Sequence, residues 1–492
     1  MRMTTALICF PLGAALVVWV VPWTRFWAGS LALLAALIEI GLWITTVRGF
    51  DFGSGGLQDE QQAHWFEDLG ISYHVGFYSF SLWLVGLTVV VLAAAIAYAF
   101  WAGRDRARAY FGLMLFLTGA IVAVFTAQDL ILFYAAFEAM LIPLYVLIGV
   151  WGGAGRTLAT LKFVIYTMAG SLLMLVSIVV FGIARGTFDL VESGTSGSAW
   201  IFLGFLVAFA IKAPLFPLHG WLPDAYRESP PEVSAVLSGV VSKAAVYGLI
   251  RIVLTKFPEP VDDFRTLILV VAAFTLVYGS LVAFRATDVR GVIAYSSLAQ
   301  MGLITLGIFA GNVQGLDGAV LQSVVHGLVS ATMFLLAGSV ERRTTTGELA
   351  LLGGMAKGRP VLATMLMTAG IIALAVPGSA AFAGEFLILL GVFDQGWAWA
   401  AIGAGAIVLA AMYMLRLISA VLHQARGSVV TDDALDLRPA ELAVLVPLVA
   451  CILALSVWPA GITERSFSRT TSQQLGGEAS GWTSYPLGRR AP

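Results

Sequence analysis

Glu138, Lys212, Lys243, His326 and Glu385 are titratable residues set inside long apolar stretches. A carboxyl, an ammonium and an imidazole held out of water share one chemistry: each can take up and release a proton. Glu138 stands in the middle of Phe133-Tyr134-Ala135-Ala136-Phe137-Glu138-Ala139-Met140-Leu141-Ile142-Pro143, and Glu385 heads Gly384-Glu385-Phe386-Leu387-Ile388-Leu389-Leu390. A basic group at the centre of a bilayer costs roughly 2.5–3.5 kcal/mol on insertion scales, so Lys212 and Lys243 are expected to face a polar interior or a hydrated path. Lys162, Arg251 and Arg416 sit near the ends of apolar runs, where their stems can reach water by snorkelling. His326, in Ser323-Val324-Val325-His326-Gly327, is a relay candidate because it lies in an apolar run among other titratable groups. Asp129 reads as an acid at a helix N-terminus, and Glu39 as a buried acid without an assigned role.

The elements that position these residues are transmembrane helices. Hydrophobic residues make up 59% of the 492 positions and charged residues 12%, so lipid is the main solvent. An apolar run of about 20 residues crosses the hydrocarbon core as a helix, since only a helix satisfies its own backbone there. Such runs fall at 5–22, 28–47, 78–101, 109–126, 128–150, 159–183, 200–223, 232–255, 264–284, 289–310, 316–339, 360–392, 396–422 and 440–460. The expected fold is therefore all-α, a polytopic membrane protein of about fourteen helices. Arg2 and the apolar run to Val21 read as the first span, not a cleaved leader. The polar segment 48–77 and the tail 461–492 are expected outside the bilayer. Loops after odd-numbered spans hold about fourteen Lys and Arg and those after even-numbered spans about four, which places the odd loops in the cytoplasm and both chain ends on the other face.

Two spans carry proline near their ionisable residue. The seventh reads Lys212-Ala213-Pro214-Leu215-Phe216-Pro217-Leu218-His219-Gly220-Trp221-Leu222-Pro223, and the twelfth reads Val376-Pro377-Gly378-Ser379 before Glu385. Proline removes a helix hydrogen bond and drives the preceding residue out of helical conformation, so both helices are expected to break near mid-membrane. The two lie five spans apart. Helices 4–8 (108–256) and 9–13 (262–425) then form two inverted five-helix repeats, in which Lys212 and Glu385 are equivalent residues of two half-channels. The N-terminal helices and acidic loop (1–107) precede them, and 426–492 follows with helix 14 and the polar tail.

Several function classes are excluded. The net charge of −1 offers no basic surface for nucleic acid. Cys9 and Cys451 lie in apolar runs with no metal-ligand spacing, and the glycine stretches complete no dinucleotide fingerprint, so neither a metal nor a nucleotide cofactor is expected on this chain.

Longer motifs carry a resemblance. Phe133-Tyr134-Ala135-Ala136-Phe137-Glu138, Lys212-Ala213-Pro214 through Pro217-Leu218-His219-Gly220-Trp221-Leu222-Pro223-Asp224-Ala225, Glu228-Ser229-Pro230-Pro231-Glu232-Val233-Ser234, Ala294-Tyr295-Ser296-Ser297 and His326-Gly327-Leu328 resemble the antiporter-like proton-channel subunits of respiratory complex I over most of the chain. Within that family the L-type and N-type branches usually carry lysine at the twelfth-span position and the M-type branch glutamate, as at Glu385. There are departures. Gln300 stands where the family often has histidine, and glutamine takes up no proton though it can hold a water that does. Val75-Gly76-Phe77-Tyr78-Ser79-Phe80-Ser81 lacks the family's aspartate.

The resemblance implies a multi-pass subunit of a bacterial plasma membrane complex that couples quinone reduction elsewhere to proton transfer. Glu138 and Lys212 would form a switch, because burial lowers a lysine's pKa and a nearby carboxylate raises it. Lys243 would accept the proton, and His326 with water would pass it to Glu385. His219, Gln300 and Asp129 are supporting candidates. Flavin mononucleotide and iron–sulfur clusters would lie on partner subunits, quinone would bind elsewhere, and the neighbours would be other membrane-arm subunits, the L-type and N-type above all. The alternatives are a subunit of a multi-subunit cation/proton antiporter or of a membrane-bound hydrogenase, and a purely structural spacer.

Overall fold

A computed structural model describes residues 2–431 and 435–467. The expected polar tail beyond Phe467, and the chain ends with it, lie outside the described residues. Twelve helices are long and apolar enough to cross a membrane, against the about fourteen expected. They are α1 (Met3–Val20), α2 (Arg25–Gly49), α3 (Ser79–Ala102), α4 (Ala107–Thr126), α5 (Leu130–Trp151), α6 (Arg156–Arg185), α9 (Pro231–Leu254), α10 (Pro258–Arg285), α11 (Val289–Ile308), α12 (Val313–Thr344), α15 (Trp397–His423) and α16 (Pro439–Val457).

The expected spans missing from that set are 200–223 and 360–392, the two in which breaks are expected. The run 200–223 forms α7 (Ala199–Lys212), an irregular stretch through Pro214 and Pro217, and the short α8 (Leu222–Glu228). The run 360–392 forms α13 (Pro360–Ala373) and α14 (Ala380–Phe393), with Pro377 between them. Each proline lacks the N–H that would continue the ladder. Beyond the second break Ser379 restarts the helix, its hydroxyl accepting from Phe382 N at 3.2 Å. Lys212 closes the half-helix before its break while Glu385 lies on the half-helix after its own, so the pair do not share one position along their broken helices.

The segment 48–77 departs from the all-α expectation. Gln58–Phe66 (β1) and Ile71–Phe77 (β2) pair antiparallel, with Gln62 opposite His74 and Ala63 opposite Tyr73. β1 is polar almost throughout and shows no apolar alternation, which hid it from a reading based on periodicity. Side chains at the start of α1 hold it: Thr4 Oγ1 donates to Asp59 O at 2.8 Å, and Thr5 Oγ1 donates to Gln61 Oε1 at 2.6 Å.

The loops fall on two faces. One gathers the hairpin, residues 127–129, the loop after α6 and Lys256: Gln128 N donates to His74 O, Leu190 N to Gln128 O and Ser196 N to Lys256 O. The other gathers the arginine-rich loops in ion pairs of Arg104 with Glu232, Arg290 with Glu341, Arg343 with Glu441 and Lys162 with Asp224. This division matches the odd and even loops. The start of α1 and Phe467, which stacks on Phe80, both lie on the hairpin face.

In the centre, α9 and α12 are buried along their whole apolar windows and α11 nearly so. Gly239 and Gly327 let α9 and α12 approach backbone to backbone, since a Cβ on either would fall within 3.0 Å of the other's carbonyl oxygen. That approach brings the polar side chains of three helices together.

Candidate functional site

Lys243 is fully buried on α9, directly after a π-helical turn over Leu237–Val241. Such turns leave carbonyls free for other donors. The Lys243 ammonium donates to Ser238 O at 2.7 Å and Ser242 Oγ at 3.3 Å. Ser238 Oγ donates to Ser297 Oγ on α11 at 2.8 Å and lies 2.5 Å from Ser330 Oγ on α12. Ser297 Oγ lies 3.0 Å from His326 Nε2. The Ser238 and Ser297 hydroxyls, each able to donate and accept, thus lead to His326 with Ser330 branching from Ser238, and Lys243 meets this chain at the Ser238 backbone carbonyl.

Past His326 the line crosses a cavity of about 30 Å³, lined by His326, Ser296, Gln300, Gln322 and Tyr413. That is room for one water among several polar partners. On its far side Gln300 Nε2 donates to Glu385 Oε1 at 2.8 Å, and Gln322 Nε2 donates to Gln300 Oε1 at 2.7 Å and reaches Glu385 Oε1 at 3.4 Å. Gln300 therefore holds the carboxyl of Glu385. Lys243, His326, Gln300 and Glu385 lie along one buried line.

Glu138 and Lys212 form a second group. Glu138 is half-buried on α5, just before the helix is interrupted at Met140, where Pro143 denies Ala139 O its usual donor. The fully buried ammonium of Lys212 lies 4.9 Å from the Phe137 ring centroid and 5.8 Å from that of Phe163, within reach of Glu138's charge. Lys212 Nζ and Glu138 Oε1 have no hydrogen-bond partner among the described residues. The two are neighbours without a contact ion pair.

The remaining candidates divide. Asp129 caps α5, accepting from Ile131 N and Leu132 N at 2.8 and 3.1 Å and from Ser72 N at 3.0 Å, so every bond it makes is structural. His219 packs between Phe216 and Tyr278 and does not join the serine line. Arg251 corrects the snorkelling expectation: it is buried, donates to Gln128 Oε1 at 3.0 Å and lies over the Tyr78 ring, because the hairpin covers the end of its helix. Lys162 pairs with Asp224 at 2.6 Å, and Arg416 donates to Phe284 O and Ala286 O, both at 2.8 Å. Glu39 is buried on α2 with neither oxygen hydrogen-bonded among the described residues.

Sequence reasoning missed Ser238, Ser330 and Gln322. A serine or glutamine in a membrane helix is common as interhelical glue, so residue type alone carries no signal. Gly239 and Gly327, which mark where two helices meet, were the available pointer.

Comparisons with known proteins bear on this geometry. The family model NADH:quinone oxidoreductase/Mrp antiporter, transmembrane, matches residues 127–411. The chain is similar to NADH-quinone oxidoreductase subunit M of Rhodobacter capsulatus, 36% identical over 454 residues covering 88% of each chain. It is similar also to the subunit M of Mycobacterium tuberculosis, 34% identical over 496 residues covering 91% of this chain and 89% of that one. A chain of respiratory complex I from Thermus thermophilus superposes with a TM-score of 0.87 at 30% identity, covering 96% of this chain and all of that one. A chain of the Mrp complex from Dietzia sp. shares the fold, with a TM-score of 0.86 at 22% identity over 97% and 98% of the two chains. With a family model over more than half its length and such relatives over nearly all of it, the chain belongs to the NADH:quinone oxidoreductase/Mrp antiporter transmembrane family.

Proposed function

We propose that this chain is a proton-translocating M-type subunit of NADH-quinone oxidoreductase and that Glu138, Lys212, Lys243, His326 and Glu385 carry the proton. The observation that carries the reading is the buried line Lys243, Ser238, Ser297, His326, cavity, Gln300, Glu385. Buried polar groups of this number stabilise a membrane protein little, and a path explains their alignment. Separation of Glu138 from Lys212 would free the lysine's proton for Lys243. Once the Lys243 ammonium turns from the Ser238 carbonyl to its hydroxyl, Ser238 and Ser297 would relay the proton to His326, and one water beside Gln300 would deliver it to Glu385. Quinone reduction in other subunits supplies the energy, with flavin mononucleotide and iron–sulfur clusters on those partners and none on this chain. The neighbours are L-type and N-type subunits in a bacterial plasma membrane, with the arginine-rich face in the cytoplasm.

Glu385 tests this reading. In assembled complex reconstituted in vesicles with a pH-sensitive dye, Glu385→Ala abolishes NADH-driven acidification, while Glu385→Lys retains part of it because the Pro377 break hydrates the site and softens the penalty of a second cation. Full pumping by the alanine variant in assembled complex overturns the reading.

A further inference from the structure

On the hairpin face, outside the membrane-spanning segments, a second titratable cluster surrounds His74. Its side chain is 2% exposed, with Nδ1 at 2.5 Å from Asp189 Oδ2 and Nε2 at 2.8 Å from Glu60 Oε1. A neutral imidazole has one N–H to donate. Two carboxylates on its two nitrogens therefore require an added proton, on the ring or on one of the acids. The groups are graded in exposure: the side chain of Asp189 is 3% exposed and that of Glu60 43%. Gln62 reaches Asp189 from β1, Asp129 acts on it from the start of α5, and Val191 N donates to it at 2.7 Å.

Behind Asp189 stands Lys256, buried at the outer end of α9 and within reach of the charges of Asp189, Arg251 and Arg185. Gln128 ties this cluster to the helix that carries Lys243. Its backbone bonds His74 O and Leu190 N, while its side chain bonds Tyr247 OH at 3.3 Å and Arg251 Nε at 3.0 Å. Tyr247 lies one turn beyond Lys243 on α9.

We propose that Lys256, Asp189, His74 and Glu60 form a proton-exchange site between the Lys243 end of the buried line and the water on the hairpin face. The inference rests on the proton-translocating reading above and adds where the first half of the path meets bulk water. A proton exchanged with this face moves among Glu60, the shared His74–Asp189 position and the Lys256 amine, which serve the Lys243 end of the line while Glu385 serves the other end. Each step moves one proton between neighbouring nitrogen or oxygen atoms and regenerates the donor when the next proton arrives. The electrostatics agree with the geometry. Burial, and then Arg251, lower Lys256 to about 7. Burial alone would depress His74, but the hydrogen bonds and charges of Asp189 and Glu60 outweigh it and raise the imidazole above its ordinary value. A lowered Lys256 and a raised His74 bring the ammonium and the imidazole closer in proton affinity, which transfer between them requires.

The test uses the whole complex in vesicles, with His74→Gln, Lys256→Gln, Glu60→Gln and Glu385→Ala assayed side by side after the amount of assembled complex is measured. The exchange site predicts that Lys256→Gln and His74→Gln cut pumping about tenfold or more and shift its pH profile on the hairpin side, while Glu60→Gln, an exposed and structurally mild change, slows exchange two- to threefold with the same shift. Wild-type rates and an unshifted pH profile for Lys256→Gln and Glu60→Gln overturn the proposal even if His74→Gln fails to assemble. If those variants pump normally while Glu385→Ala does not, only the exchange site falls. If Glu385→Ala pumps normally as well, the translocation reading falls with it.

Discussion

At the scale of single residues, the proposed proton chemistry draws on charges left incompletely paired among the described residues. Lys212 sits over two phenylalanine rings with Glu138 near but not bonded, an arrangement that a small movement at the Met140 interruption can tighten or loosen. A contact ion pair would trap the charge; a distant carboxylate would leave a lone ammonium too costly to bury. Glu138→Gln and Lys212→Ala are each expected to abolish proton pumping in reconstituted vesicles, and Glu138→Asp to keep a measurable fraction because the charge stays. Normal acidification by Glu138→Gln or Lys212→Ala would remove the switch. Gln300 illustrates a different role: it carries no proton, yet by donating to Glu385 and accepting from Gln322 it fixes one carboxyl oxygen and leaves the other free.

At the scale of elements, broken and bent helices do the positioning. The breaks near Lys212 and before Glu385, the interruption after Glu138 and the π turn before Lys243 each fall beside a titratable residue, where freed backbone groups lower the cost of burying charge. His74 bonds the hairpin to Asp189 in the loop after α6, so the attachment is expected to depend on pH. His74 is raised, so its contribution is complete below the imidazole's unfolded value and is lost as pH rises through the raised one. Burial would raise Asp189, but the hydrogen bond and charge of His74 and the N–H donors of Val191 and Glu192 together outweigh it and lower the carboxyl, so its contribution is complete above its unfolded value and is lost as pH falls through the lowered one. Protease cleavage in 58–77 is therefore expected to be slowest between those limits and to accelerate at alkaline pH. His74→Gln should remove the alkaline acceleration. Cleavage rates equal at neutral and alkaline pH in the unmodified chain would show that the pair does not hold the hairpin.

At the scale of the whole molecule, two faces of opposite character sandwich the bundle. One is stitched by arginine–carboxylate pairs and the other is covered by the hairpin and the loop after α6. The excess of basic residues predicts that the arginine face turns toward the cytoplasm. In a background lacking Cys9 and Cys451, a membrane-impermeant maleimide added to intact cells should label Trp65→Cys, which is exposed on the hairpin, and leave Lys357→Cys, exposed on the other face, unmodified. Labelling of position 357 with protection of position 65 would invert the topology.

Hydropathy and basic-residue counts were enough to find the helices, their grouping on two faces and the two breaks, because the bilayer imposes length, apolarity and charge asymmetry on every segment independently. Proline acts locally, so Pro214, Pro217 and Pro377 were legible as interruptions wherever the rest of the chain went. The titratable residues were legible too, since a charge in lipid stands out by residue type alone. What only tertiary structure decided is how they connect. Ser238, Ser297 and Ser330 come from three helices and become one hydrogen-bonded cluster only because Gly239 and Gly327 let two backbones meet. The hairpin forms from a strand with no apolar alternation because α1 and α5 supply its partners. Arg251 and Lys256, which sequence position would leave at the water's edge, are buried because that hairpin and its loop fold over them: burial depends on distant segments, and no local pattern encodes it.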